Sequence, residues 1–197
     1  MENKIRLTCT ALAAIGSGLG LFICGFILEI FPTNPYRGVF WMVMLPMVLF
    51  YTMKEPKRKD ILNLLCSFAA GLVWGFVSVA TTQAVKMAGG PLLFTLVEYG
   101  LMTAAIIFVH GGLLANTPFN KPAVAFLGLA LSVAASTTSF WSGGIDFSNG
   151  TLIPIEGHWN QFDLLIVFAI GCAAVWLVET LGGLLVGMYM KKLHQNH

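Results

Sequence analysis

A run of roughly 20 apolar residues is what an α-helix needs to cross a hydrocarbon core of about 30 Å. This chain carries six apolar runs of about that order, at residues 7–31, 38–53, 61–85, 91–115, 123–142 and 162–190. No soluble fold buries so many greasy segments in 197 residues. The expectation is an all-α membrane protein of six transmembrane helices, forming one integral domain over residues 1–197. Composition agrees: 57% of residues are hydrophobic and 10% charged, against about 25% charged in soluble proteins. A membrane barrel would need strict apolar–polar alternation, which these runs lack. The second run is short and contains Pro46, which predicts a kinked, tilted or partly re-entrant helix.

Basic residues orient the chain. In a six-span layout Lys4, Arg6, Lys54, Lys57, Arg58, Lys59, Lys121, Lys191 and Lys192 share one side, and only Arg37 and Lys86 the other. The positive-inside rule then places both termini in the cytoplasm. Tyr36, Trp41, Trp141 and Trp159 fall at expected outer ends, and Tyr51 and Tyr189 at inner ones, as interfacial aromatic belts require. The long 143–161 connection would face outward with a sequon, Asn149-Gly150-Thr151. The four cysteines, Cys9, Cys24, Cys66 and Cys172, lie scattered in apolar runs with no CxxC and read as small hydrophobes.

At about 100° per residue, polar and small residues gather into stripes. Asn63, Ser67, Trp74, Ser78 and Thr81 share a face of the third run. Tyr99, Thr103 and His110 share one on the fourth, with Glu98 turned about 100° from Tyr99. Gly128, Ser132, Ser136 and Ser139 align on the fifth, and Cys172, Trp176, Glu179, Gly183 and Gly187 on the sixth. Such stripes serve either as close-packing seams, as the small-xxx-small pairs Gly16/Gly20 and Gly183/Gly187 suggest, or as the lining of a polar passage.

Ionisable groups point to the second use. A charge near a helix centre costs about 2.5–3.5 kcal/mol on insertion scales, so such residues face a cavity, find a partner or carry function. Counted from the outer ends of their runs, Glu179 and His110 lie at similar depths, about 25–29 Å at 1.5 Å per residue, so a contact between them is expected to be reachable. Glu98 would sit nearer the outer mouth, and Glu29 at the interface. Trp74 and Trp176, far from the interfacial belts, would be flat walls of a slot.

No P-loop, HExxH or GxSxG occurs, and Glu156, His158 and Asp163 have no standard metal spacing. Hence no enzyme, cofactor, metal or nucleic-acid partner is expected. Residues 71–90 and 128–144 share a Gly-Leu start, a Ser-Val-Ala core, a Thr-Thr pair and a Gly-Gly end, a direct repeat rather than an inverted one.

At Ala70-Gly71-Leu72-Val73-Trp74-Gly75, and from Phe119-Asn120-Lys121-Pro122 onward, the chain resembles the bacterial inner-membrane family catalogued as domain of unknown function 1097. That resemblance implies a multi-pass protein of the bacterial inner membrane and assigns no catalytic residue. In size and layout the chain is also similar to the proton-gated urea channels and the acetate uptake channels, though it has no Asn-Pro-Ala-Pro motif.

The expected function is a homo-oligomeric channel or facilitator for a small polar solute, of urea, amide or short weak-acid size. Its pathway would be formed by Glu98, Tyr99, Thr103, His110, Trp74, Ser78, Ser132, Ser136, Trp176 and Glu179, with Glu179 and His110 as an inner proton-linked site. The competing expectations are a proton-coupled secondary transporter and a membrane partner subunit that transports nothing.

Overall fold

The computed structural model describes residues 2–30, 36, 40–89, 92–137, 144–145, 152–153 and 161–195. The apolar runs become helices: α1 (Glu2–Ile30), α2 (Phe40–Tyr51), α3 (Arg58–Met87), α4 (Leu92–Phe108), α5 (Pro122–Thr137) and α6 (Gln161–Gln195). A π-helical turn, Val109–Leu113, prolongs α4. Two two-residue strands, β1 (Gly144–Ile145) and β2 (Leu152–Ile153), pair antiparallel between α5 and α6. Four helices, α1, α3, α4 with its π turn, and α6, are long and apolar enough to cross a membrane. This is the make-up of an all-α membrane protein. Helix α2, with 12 residues, and α5, with 16, extend only about 18 and 24 Å at 1.5 Å per residue, short of a full hydrocarbon core.

Local chemistry sets the helix ends. Pro122 opens α5 where its missing N–H costs nothing. Asp60 in the first turn of α3 accepts the Lys57 N–H at 3.0 Å and the Lys121 ammonium at 3.3 Å, pinning the start of α5 to the start of α3. Helix α3 ends at Met87, and two residues on Gly89 has a φ of +69°, the left-handed conformation glycine adopts most cheaply after a helix. Helix α2 continues through Pro46, whose ring lies against Gly171 of α6.

Two close-packed pairs frame the molecule. Helices α3 and α5 run parallel, and a Cβ on Gly71 or Gly75 would overlap the Ala125 carbonyl or the Ser132 side chain, while one on Gly128 would press on the Phe68 carbonyl. Helix α1 packs as closely on α6, but antiparallel: a Cβ on Gly16 would lie 2.7 Å from the Gly182 Cα, and one on Gly20 would meet Val178. The core lies between these pairs, where Met42, Val43 and Phe50 of α2 join Leu64, Phe68, Leu164 and Val167. Phe68 stacks on Phe168 with ring centroids 3.8 Å apart. Cys172 is buried in this core and the other three cysteines are partly buried.

The small-residue expectation needs one correction. The Gly16/Gly20 pair does meet α6, but at Gly182 and Val178; Gly183 and Gly187 have open space where a side chain would be. The buried face of α6 runs through Phe168, Gly171, Val175, Val178 and Gly182, at alternating three- and four-residue steps typical of helix seams.

Candidate functional site

The polar stripe of α3 is engaged along its whole length. Asn63 donates to Asp60 at 3.3 Å. Ser67, fully buried, accepts the Lys121 N–H at 3.2 Å and donates to the Pro118 carbonyl at 3.5 Å. Trp74 Nε1–H donates to His110 Nε2 at 3.1 Å. Farther along, three hydroxyls converge on Glu98 of α4: Ser78 at 3.2 Å and Thr81 on Oε1, and Thr82 at 2.7 Å on Oε2. That donor set supplies in protein what water would supply outside.

Glu98 is not packed away. With Trp74, Thr81, Phe94, Val97, Leu101, Met102 and Ala105 it lines an open groove of about 370 Å³ between α3 and α4. Beyond Trp74, towards the end of α4, stands His110, 1% exposed. Its Nδ1 contacts the Phe119 carbonyl. An indole N–H can only donate and a carbonyl can only accept, so the pattern selects the Nδ1–H tautomer with its Nε2 lone pair on Trp74. The π turn around His110 closes through Leu114 N–H to the Val109 carbonyl at 2.7 Å, and Gly111 and Gly112 accommodate the wide turn without steric obstruction. Such turns recur at functional positions.

Several expected pathway residues stand elsewhere. Tyr99 and Thr103 are exposed on the outside of α4, and Tyr99 is 38% exposed. Helix α4 meets its neighbours along the row Glu98, Met102, Ile106, His110, a four-residue ridge that drifts about 40° per step around the helix. A projection at fixed angle separates that row and groups His110 with Tyr99 instead. Trp176 is 53% exposed and is no wall of the Trp74 groove. Ser132 is buried against Gly75 and accepts from Gln161 Nε2 at 3.2 Å, so it belongs to the α3–α5 seam. The Ser136 side chain lies outside the described residues, as do Ser139, the side chains of Glu29, Trp41 and Lys86, and Arg37, Trp141, Asn149, Glu156, His158 and Trp159.

Glu179 and His110 are not brought together. Glu179 accepts the Tyr51 hydroxyl at 2.8 Å, whereas both ring nitrogens of His110 are taken by Trp74 and Phe119. Equal depths would follow only if all helices started in one plane. Gln161, the first residue of α6, instead reaches Ser132, which packs on Gly75 midway along α3. Depth counted from the start of α6 is therefore offset from depth counted from the start of α4.

Sequence reasoning missed Thr82, Tyr51 and the Phe119 carbonyl. The Thr81-Thr82 pair was visible as a repeat element, but the carboxylate it serves lies on another helix. Outside the spans, Tyr36 donates to Asp163 at 3.3 Å; burial, together with the Asp163 carboxylate, pushes its phenol above the usual range. Among the described residues no three His, Cys, Asp or Glu side chains cluster to hold a metal. Compared with known protein families, with curated proteins and with solved structures, the chain finds no match.

Proposed function

We propose that this protein is a facilitator for a small polar solute in the bacterial inner membrane, crossing it six times with both termini in the cytoplasm and working as a homo-oligomer. The likeness to the domain-of-unknown-function 1097 family belongs to the same proposal. The observation that carries the reading is Glu98: a carboxylate on an apolar helix, held by three hydroxyls from α3 and still lining an open groove. A packing contact would close over such a group, because an apolar replacement is cheaper in lipid. A passage keeps it.

The chemistry of the groove narrows the solute. Glu98 presents acceptor oxygens beside the Trp74 ring and the apolar wall of Phe94, Val97 and Leu101. Solutes rich in N–H donors with one flat face, such as urea and simple amides, suit that lining, and short carboxylates, which bring only acceptors, suit it less. In this mechanism the solute replaces part of its hydration with Glu98 and the threonine hydroxyls, lies flat on Trp74, and passes towards the His110 end. The Trp74–His110–Phe119 chain fixes the indole so that the slot keeps its width. The direction of flow follows the gradient.

Stopped-flow light scattering on proteoliposomes tests this, comparing urea, acetamide, glycerol, acetate and formate. Fast, non-saturating recovery for urea or acetamide, slowed about tenfold in Glu98→Gln, is the expected result. Saturating, uphill uptake driven by a pH gradient would replace the facilitator with a coupled transporter. No flux above empty liposomes, with folded protein, would overturn transport and favour a partner subunit.

A further inference from the structure

A second groove, of about 410 Å³, lies at the opposite end of α3, between Arg58 and the last turns of α6. Thr180, Gly183, Leu184, Gly187, Met188 and Lys191 form its α6 side, successive turns of one helix face. Three features stand together there. First, the lining contains two cations and no carboxylate. The nearby Asp60 is occupied by Lys121, the Lys57 N–H and Asn63, and among the described residues neither Arg58 nor Lys191 has an ion-pair partner. Second, the floor is bare backbone, because Gly183 and Gly187 have nothing within 4 Å of where a Cβ would be. Third, the rim is apolar, with Leu184 and Met188 more than half exposed.

We propose that this groove seats one anionic phospholipid, its phosphate between Arg58 and Lys191 and an acyl chain along the glycine floor past Leu184 and Met188. Charge complementarity selects the occupant. A free phosphate would satisfy the cations but leave the apolar rim and floor uncovered. A second copy of the chain docked on the same face would set Arg58 and Lys191 against their own equivalents, whereas basic recesses between helices at the membrane surface match anionic headgroups. The inference rests on the membrane class of the protein and not on the solute proposed above; flux through the Glu98 groove is a separate readout.

The test uses the full chain reconstituted in phosphatidylcholine vesicles with a minor share of phosphatidylglycerol, then released for native mass spectrometry. Wild-type protein should retain phosphatidylglycerol in preference to phosphatidylcholine. Each neutralised cation, in Arg58→Gln or Lys191→Gln, should lower that retention about fivefold, and both together about twenty-five-fold, the fold-change equivalent to about 1 kcal/mol per basic residue near an anionic surface. Gly187→Leu, which fills open space and leaves the fold intact, should lower it as well. Equal retention of the two lipids, or retention unchanged in the double variant, would overturn the site. Displacement of the lipid by excess inorganic phosphate would overturn it in favour of a soluble anion. A dimer that Gly187→Leu converts to monomer, with lipid retention unaltered, would overturn it in favour of a second copy.

Discussion

Helix α3 uses small and hydroxylated residues on two faces, to opposite ends. Towards α5 it presents Gly71 and Gly75, and the helices approach until a single Cβ would overlap the Ala125 carbonyl or Ser132. Towards α4 it presents Trp74, Ser78, Thr81 and Thr82, which bind His110 and Glu98 and leave a groove of about 370 Å³. One face excludes everything but backbone contact. The other holds polar atoms at hydrogen-bond distance with space beside them. Small polar residues in a membrane helix thus do not declare a pathway; the partner they meet decides.

The sharpest break is Gly71→Leu. Its added atoms have nowhere to go except into the Ala125 carbonyl, which is backbone and cannot rotate aside. Overpacking of this kind costs about 3 kcal/mol, enough to abolish a folded, monodisperse peak in size-exclusion chromatography after mild heating. Gly183→Ala is the matched control, because open space awaits its methyl group, and its thermal midpoint should be unchanged or slightly raised. If both variants behave alike, the α3–α5 seam is not the close contact described.

Glu98→Gln should leave the fold and slow the flux. The amide oxygen still accepts on one side, its NH2 donates to a hydroxyl oxygen on the other, and Thr81 has the Val77 and Ser78 carbonyls to fall back on, so stability should change by less than about 1 kcal/mol. Urea flux should fall about tenfold, equivalent to about 1.4 kcal/mol. A large loss of stability with flux per folded protein intact would turn the α4 face into a second packing seam and erase the contrast.

Much of the fold was legible because apolar length alone delimits helices in lipid, and the bounds of α3, of α4 with its π turn, and of α6 follow the runs at 61–85, 91–115 and 162–190 to within a few residues, apart from the C-terminal extension of α6. Glu98 was legible as a charge out of place, and Trp74, Ser78 and Thr81 as members of one polar stripe on α3. The pairings were not. Which carboxylate meets which hydroxyl depends on the stagger of whole helices, set by contacts such as Phe68 on Phe168 and Gln161 on Ser132, and no single-helix periodicity encodes it. Tyr51 shows the same limit: at the end of α2 it reads as an interfacial aromatic, yet its hydroxyl is the partner of Glu179.

Trp74→Phe sharpens the α4 side more gently. It keeps an aromatic face, though a smaller one, and deletes the N–H that His110 Nε2 accepts. Hydrogen bonds between membrane helices average about 0.6 kcal/mol with a maximum near 1.7, so a small drop in thermal midpoint is expected. Urea flux should fall less than in Glu98→Gln, since the wall of the slot remains. A loss of flux matching Glu98→Gln would make the Trp74–His110 pair, and not the carboxylate, the element that governs passage.

The smallest effect belongs to Glu179, and it separates the two membrane carboxylates. Glu98 receives three hydroxyls and lines a groove, whereas the hydrogen bond observed for Glu179 comes from Tyr51, on the half-exposed flank of α2 and α6. A double-mutant cycle of Tyr51→Phe and Glu179→Gln should return a coupling of about 0.5 kcal/mol, with urea flux altered less than twofold in any of the three variants. If Glu179→Gln instead abolished flux while Tyr51→Phe did not, the carboxylate would be acting on the solute rather than on the tyrosine. The pathway would then have to run along α6 as well as between α3 and α4, and the oligomer would have to supply the wall that a single protomer leaves open at Trp176.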